Sequence, residues 1–217
     1  MNHHVAFFDL DHTILDINSG VIMVKEAHRK GLIRKADFIS ALLLSVFYKA
    51  GFLNAEFIMK RMAAWLNGTS EQKFIQFADQ VFEQHIRKAI RKQAREMVKY
   101  HQNNGGRSVL LSASTPYVCD PVKNTLQLDD IICSKLEVID GHFSGNSEGK
   151  YCYGAEKLVR TIQYCHENKY DLSDAYYYAD SHSDLDVLKA IGHPQCVTPD
   201  KKLRSFALKN GWDILNW

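Results

Sequence analysis

The feature that most constrains the fold is a set of short apolar runs that each stop abruptly on acidic or hydroxyl residues. Val5-Ala6-Phe7-Phe8 runs into Asp9, Ser108-Val109-Leu110-Leu111 into Ser112, and Ala175-Tyr176-Tyr177-Tyr178-Ala179 into Asp180. Short β-prone runs without polar alternation suit strands buried on both faces, as inside a parallel sheet. Ile131-Ile132-Cys133 and Gln195-Cys196-Val197 read as two further strands, Lys135 to Ser144 as a hairpin around Asp140-Gly141, and Ala155 to Asn168 as a helix. Strands alternating with helices predict an α/β fold, a Rossmann-like parallel sheet with right-handed crossovers. Ligands in such sheets gather at the carboxyl ends of the strands, where the polar residues that end each run would converge.

From about Asn18 to Asn104 the pattern becomes helical. Gly31, Gly51 and Gly68 stand where helix C-caps are expected, Asp37 and Asn54 are candidate N-caps, and Thr69-Ser70-Glu71-Gln72 has the form of a capping box. The expected organisation is an α/β core of residues 1–16 and 105–217, with an all-helical cap domain, 17–104, inserted after the first strand. Within the insert, Phe38 to Tyr48 is apolar almost all round its helix but about half the ~20 residues a bilayer demands. It reads as a buried helix of the insert, with an apolar surface for a lipid-like phosphate ester as the alternative. Arg87, Lys88, Arg91, Lys92 and Arg95 are expected on one face of a helix, solvated or steering an anionic substrate.

Composition narrows the class. A formal charge of +2 on 217 residues is too mild to imply nucleic acid, and no aromatics interleave the basic residues. The odd count of five cysteines, with no C-x-x-C spacing, argues against a disulfide framework. Met1-Asn2-His3-His4 lacks the basic and apolar regions of a signal peptide. A cytoplasmic protein without stable membrane insertion is the expectation.

Asp9-Leu10-Asp11-His12-Thr13 places two carboxylates on alternate residues at a strand end. That arrangement suits phosphoryl transfer, in which one carboxylate attacks phosphorus and its neighbour protonates the leaving oxygen and later takes a proton from water. Negative phosphoryl oxygens cannot approach an anionic carboxylate unless a metal and a cationic side chain neutralise them. Asp180-Ser181-His182-Ser183-Asp184 offers a second carboxylate pair, and oxygen-only ligands favour Mg2+. Ser112, with the amides of Ala113 and Ser114, can bond a phosphoryl oxygen, and Lys157 supplies positive charge. Each motif alone reads equally well as a turn, a cap or a solvated face; their joint order does not. His3, His4, His12 and His182 lack zinc-ligand spacing.

Taken together these residues resemble the haloacid dehalogenase superfamily of phosphohydrolases, in the branch with a helical cap that contains phosphoserine phosphatase. Asp9 to Thr13 looks like its D-x-D-x-T motif, Ser112 its second-motif hydroxyl, Lys157 its third-motif lysine, and Asp180 with Asp184 its acidic fourth motif. Gly192-His193-Pro194, Pro199-Asp200 and Gly211-Trp212 resemble the closing segment of that branch. The resemblance implies a Mg2+-dependent phosphomonoester hydrolase; it stops at the substrate, for which a small phosphorylated metabolite is the expectation beside the lipid-like ester. Asp9 would be the nucleophile and Asp11 the general acid/base, with Asp9, the Asp11 carbonyl, Asp180 and Asp184 toward the metal, and Thr13, Ser112, Ala113 and Lys157 toward the phosphoryl group. Lys150 is the alternative lysine. The same residues would serve a phosphotransferase or phosphomutase, or a module that binds phosphate without turnover. Where phosphoserine phosphatases carry a glutamate for the substrate's amino group, this chain has Asn18, so phosphoserine is expected to be a poor substrate.

Overall fold

The computed structural model describes residues 4–33, 35, 39–40 and 55–217. Its strands are β1 (Val5–Phe8), β2 (Arg107–Leu111), β3 (Asp130–Ile132), β4 (Leu136–Ile139), β5 (His142–Ser147), β6 (Tyr176–Ala179), β7 (His193–Val197) and β8 (Asp213–Leu215). The described helices are α1 (Ser19–Arg29), α2 (Ala55–Trp65), α3 (Glu71–Val81), α4 (Lys92–Asn103), α5 (Pro116–Leu126), α6 (Ala155–Asn168), α7 (Leu185–Ala190) and α8 (Lys201–Asn210). Six strands form one sheet in the order β3-β2-β1-β6-β7-β8, and every pairing in it is parallel. β4 and β5 form a separate antiparallel hairpin.

All four residues of β1 are fully buried, as its unbroken apolar run predicts for the middle of a parallel sheet. Strand alternation divides the core in two. Phe7, Val109, Leu111 and Tyr177 face a layer that includes Cys165 of α6, Leu188 of α7 and Leu203 of α8. Phe8, Leu110 and Tyr178 face the opposite layer, with Val98 of α4 and Val122 of α5. Burying a Phe or Leu side chain on either face contributes about 1.5–3 kcal/mol. Helix α4, which the sequence reading counts with the insert, thus packs through Ala94 and Val98 in the same layer as Ala6 and Phe8 of the central strand.

The chain leaves and rejoins the sheet through a narrow neck. Asp16 N–H donates to Ala89 O at 3.0 Å and Arg91 N–H to Ile14 O at 2.9 Å, around an antiparallel bridge between Leu15 and Ile90. The β4–β5 hairpin bonds to the segment before α3, with Gly68 N–H on Phe143 O at 2.8 Å and Phe143 N–H on Thr69 O at 3.0 Å.

Several local expectations need correcting. α3 begins at Glu71 with Ser70, not Thr69, as N-cap and with no side-chain cap bond, so the capping box does not form; Glu71 accepts from Tyr117 Oη at 2.7 Å. The basic residues do not share one helix face, because Arg87–Ala89 is a short 3-10 turn and Ile90 is extended before α4 starts. They are also largely committed: Arg87 pairs with Glu83 at 2.6 Å, Arg91 donates to Trp217 O at 2.7 Å, and Arg95 donates to Thr125 O at 3.2 Å. Strand β8 is an addition that the apolar runs did not signal. Gly31 and Gly68 have φ of 72° and 75°, as C-cap glycines require. Asp37, Gly51, Asn54 and, apart from Ile39 and Ser40, the run from Phe38 to Tyr48 lie outside the described residues. Among the described residues no helix is long and apolar enough to cross a membrane.

Candidate active site

Register brings the polar strand ends together. β1 pairs Phe8 with Leu110 of β2 and with Tyr178 of β6, so Asp9, Ser112 and Asp180 emerge side by side at the carboxyl edge. Asp9 is anchored there by its own N–H, which donates to Tyr178 O at 2.9 Å. Beyond it the strand winds into one tight turn, Leu10–Ile14, closed by Leu15 N–H on Leu10 O at 2.9 Å. His12 takes φ 59°, a left-handed conformation that lets the turn double back, and its ring is exposed. Thr13 is fully buried, and its hydroxyl has no partner among the described residues.

The turn delivers Asp11 to the start of α1. Asp11 Oδ1 accepts from Ser19 N–H, the first residue of α1, at 2.8 Å. Asn18, the N-cap of that helix, spends its Oδ1 on Val21 N–H at 2.9 Å. Ser112 is buried and its Oγ accepts from Ser114 N–H at 3.0 Å, an arrangement that leaves the hydroxyl hydrogen available for donation. Ala113 follows it, half-buried.

Lys157, in the first turn of α6, reaches across the sheet with its ammonium buried. Its Nζ donates to Asp9 Oδ1 at 2.7 Å, to Asp184 Oδ2 at 3.0 Å and to Tyr177 Oη at 3.0 Å. Tyr177 Oη donates in turn to Asp184 Oδ2 at 2.8 Å. Lys150, the alternative lysine, is exposed and lies 3.9 Å from Glu156. The structure therefore gathers Asp9 and Asp184 around the Lys157 ammonium, seats Asp180 beside them, and adds Tyr177, whose sequence context marks it only as strand core. Reading the strand's alternation would have put Tyr177 on the α6 face; nothing local signals that its hydroxyl meets a charge.

Electrostatics mark the same cluster. Burial raises the Asp9 carboxyl well above the carboxylate range; Lys157 opposes the shift, while Asp184 and Asp11 add to it. Burial likewise raises Asp180, reinforced by the neighbouring Asp9 and Asp184. Asp11 is raised by burial against the pull of its bonds from Ser19. Burial alone would lower Lys157, yet the carboxylates of Asp184 and Asp9 hold it well above its ordinary value. More negative charge is concentrated here than a single ammonium offsets.

These residues fit a small hard cation. The donors that converge are oxygens, and buried Asp184 Oδ1 has no hydrogen-bond partner among the described residues. Among the described residues no group of three or more acidic, imidazole or thiol side chains is placed to hold a metal ion by itself. A donor set of oxygens alone suits an ion such as Mg2+, which keeps several waters and needs only one or two carboxylates.

Comparison with known proteins agrees with this geometry. Residues 6–189 match the family of haloacid dehalogenase-like hydrolases. The chain is 32% identical to the "Inhibition of morphological differentiation protein" of Streptomyces azureus, over 98% of this chain and 78% of that one. It is 28% identical to a histidinol-phosphatase of Neisseria meningitidis serogroup C (strain 8013), over 99% of each. A crystal structure of a protein of unknown function from Bordetella pertussis Tohama I superposes with a TM-score of 0.91 at 27% identity, covering 100% of this chain and 99% of that one. With a match spanning most of its length, and with the strand-end carboxylates and the buried lysine gathered at one edge of a parallel sheet, the chain belongs to the haloacid dehalogenase-like hydrolases.

Proposed function

We propose that this protein is a Mg2+-dependent phosphomonoester hydrolase that works through a phosphate ester of Asp9. The observation that carries the reading is the buried contact of Lys157 Nζ with Asp9 Oδ1 at 2.7 Å, at the tip of the central strand. An ammonium fixed beside a nucleophilic carboxylate can receive a phosphoryl oxygen at the moment the two anions meet.

In the first step a carboxylate oxygen of Asp9 bonds to phosphorus while the ester P–O bond breaks, and the leaving oxygen takes a proton from Asp11. In the second, water bonds to phosphorus and gives its proton to the Asp11 carboxylate, and the bond between phosphorus and Asp9 breaks to release inorganic phosphate. Ser112, the amide of Ala113 and the Thr13 hydroxyl, which is buried without a partner among the described residues, would serve the phosphoryl oxygens. Asp9, the Asp11 carbonyl and Asp180 would hold Mg2+, with Asp184 behind them, and the ion supplies charge neutralisation to the phosphoryl oxygens.

The substrate class is a small phosphorylated metabolite, as the name of the Neisseria relative suggests for that protein. The lipid-like alternative rested on Phe38 to Tyr48 and on a free basic face, and the described basic residues are mostly engaged within the chain. Five buried free cysteines favour a reducing compartment such as the cytoplasm. The test is phosphate release from a panel of phosphorylated metabolites with Mg2+ and after exhaustive chelation. Release that chelation abolishes is expected, with phosphoserine among the poorer esters because Asn18 carries no charge and caps a helix. Full activity in chelator, or no release from any ester, would contradict the reading.

A further inference from the structure

The reaction just described uses Asp9, Asp11, Ser112 and Lys157 but leaves the Tyr177 hydroxyl without a role. Tyr177 is fully buried on β6, a strand flanking the nucleophile's own. Hydrophobic packing alone does not require its oxygen, because phenylalanines at Phe7 and Phe8 fill equivalent sites on the neighbouring strand. A buried hydroxyl without partners would be costly, and this one has two charged ones.

An ammonium carries three hydrogens. Lys157 spends them on Asp9 Oδ1 at 2.7 Å, Asp184 Oδ2 at 3.0 Å and Tyr177 Oη at 3.0 Å. Tyr177 then returns its own hydrogen to Asp184 Oδ2 at 2.8 Å. The phenol is neutral and adds no charge; it adds direction. It completes a closed ring of hydrogen bonds in which Asp184 Oδ2 receives two donors, so the carboxylate is turned with Oδ1, the buried oxygen lacking a partner among the described residues, away from the ring. Without the hydroxyl, Asp184 would be held by one flexible lysine, and Lys157 would have a buried hydrogen with no acceptor.

We propose that Tyr177 is a positioning residue for phosphoryl transfer, orienting the Asp184 carboxylate toward the metal side of the site and the Lys157 ammonium toward Asp9. The inference rests on the phosphatase reading above. Tyr177→Phe keeps the ring and removes the oxygen. Expected are a fall in kcat of about tenfold, the scale of one hydrogen bond to a charged group, with KM for the ester within about twofold. Mg2+ affinity measured by titration calorimetry on the same variant should weaken by about fivefold or more. A purely structural hydroxyl would lower the urea midpoint and leave both quantities near wild type; kcat within about twofold of wild type, or unchanged Mg2+ affinity, overturns the proposal. Should the Phe variant not fold, Tyr177→Met removes the same oxygen with a more adaptable side chain and carries the same expectations. Wild-type turnover is measured alongside: its absence defeats the phosphatase reading, whereas its presence with an indifferent Tyr177 defeats only this inference.

Discussion

Tyr177 and Tyr178 are neighbours on one strand, yet they serve two buried polar clusters of opposite character. On one face of the sheet Tyr177 joins Asp9, Lys157 and Asp184, a cluster of charges whose carboxyls include one pushed up by burial and another with a buried oxygen unpartnered among the described residues. On the other face Tyr178 Oη lies 2.9 Å from His101 Nε2, and His101 Nδ1 lies 2.9 Å from His4 Nε2. Burial lowers His101 to about 4, so the ring at the middle of this second cluster is neutral. The difference separates two uses of buried polarity. Groups that satisfy one another stabilise a fold, whereas charge held in excess of its partners is poised for a ligand.

The comparison breaks most visibly at Asp11. Asp11→Asn, on the charged side, should lower kcat by roughly 10²–10⁴-fold, the usual worth of general acid/base assistance, with the circular dichroism spectrum unchanged. A loss below tenfold in a steady-state assay would assign the proton transfers elsewhere. On the neutral side the expected response is stability instead of rate. A methyl group at Gly106 would lie 2.3 Å from His4 Nε2, so Gly106→Ala must displace the His4 ring. It should cost about 1–3 kcal/mol by urea denaturation, the usual penalty of overpacking, and leave kcat of the folded enzyme near wild type.

The smallest effect sharpens the comparison through pH. His101 titrates at about 4 in the folded chain against 6.5 for an ordinary histidine, so the unfolded chain binds the proton first as pH falls. Its contribution to stability is therefore complete above about 6.5 and is lost as pH falls from about 6.5 toward 4. The raised carboxyls of Asp9 and Asp180 act in the opposite sense over the same window, so the His101 contribution is read as a difference: as pH falls from about 6.5 toward 4, the urea midpoint of wild type should drop relative to that of His101→Phe, which cannot take the proton. Equal slopes would remove His101 as the cause.

Much of this was legible in the sequence, for identifiable reasons. Strands buried on both faces carry no polar residues until they end, so Val5 to Phe8 announced both the sheet and the place where Asp9 would emerge. Lys157 was legible from its place at the start of a helix, which the structure bears out in α6. β8 escaped because Asp213–Leu215 is three residues long and only partly buried, too short to show a period. The capping box at Thr69 failed because the helix is capped one residue later, at Ser70, which leaves Gln72 at its second position instead of its third. The basic residues looked like one helix face because periodicity cannot see the extended Ile90 that pairs with Leu15 at the neck. Tyr177 failed for the same kind of reason: alternation gives its face, but its partners come from Lys157 on α6 and from Asp184, which precedes α7. What a single sequence leaves hidden is which distant element a polar atom meets.

The central claim is that Asp9 carries the phosphoryl group. Its most direct measurement is mass spectrometry of the acid-quenched enzyme, taken during turnover of a phosphate ester with Mg2+ and digested at low pH. A phosphoryl adduct on Asp9, present in wild type, accumulating in Asp11→Asn where water attack is slowed, and absent from Asp9→Asn, is the predicted result. Near-normal turnover by Asp9→Asn, or an adduct on any other residue, would contradict it.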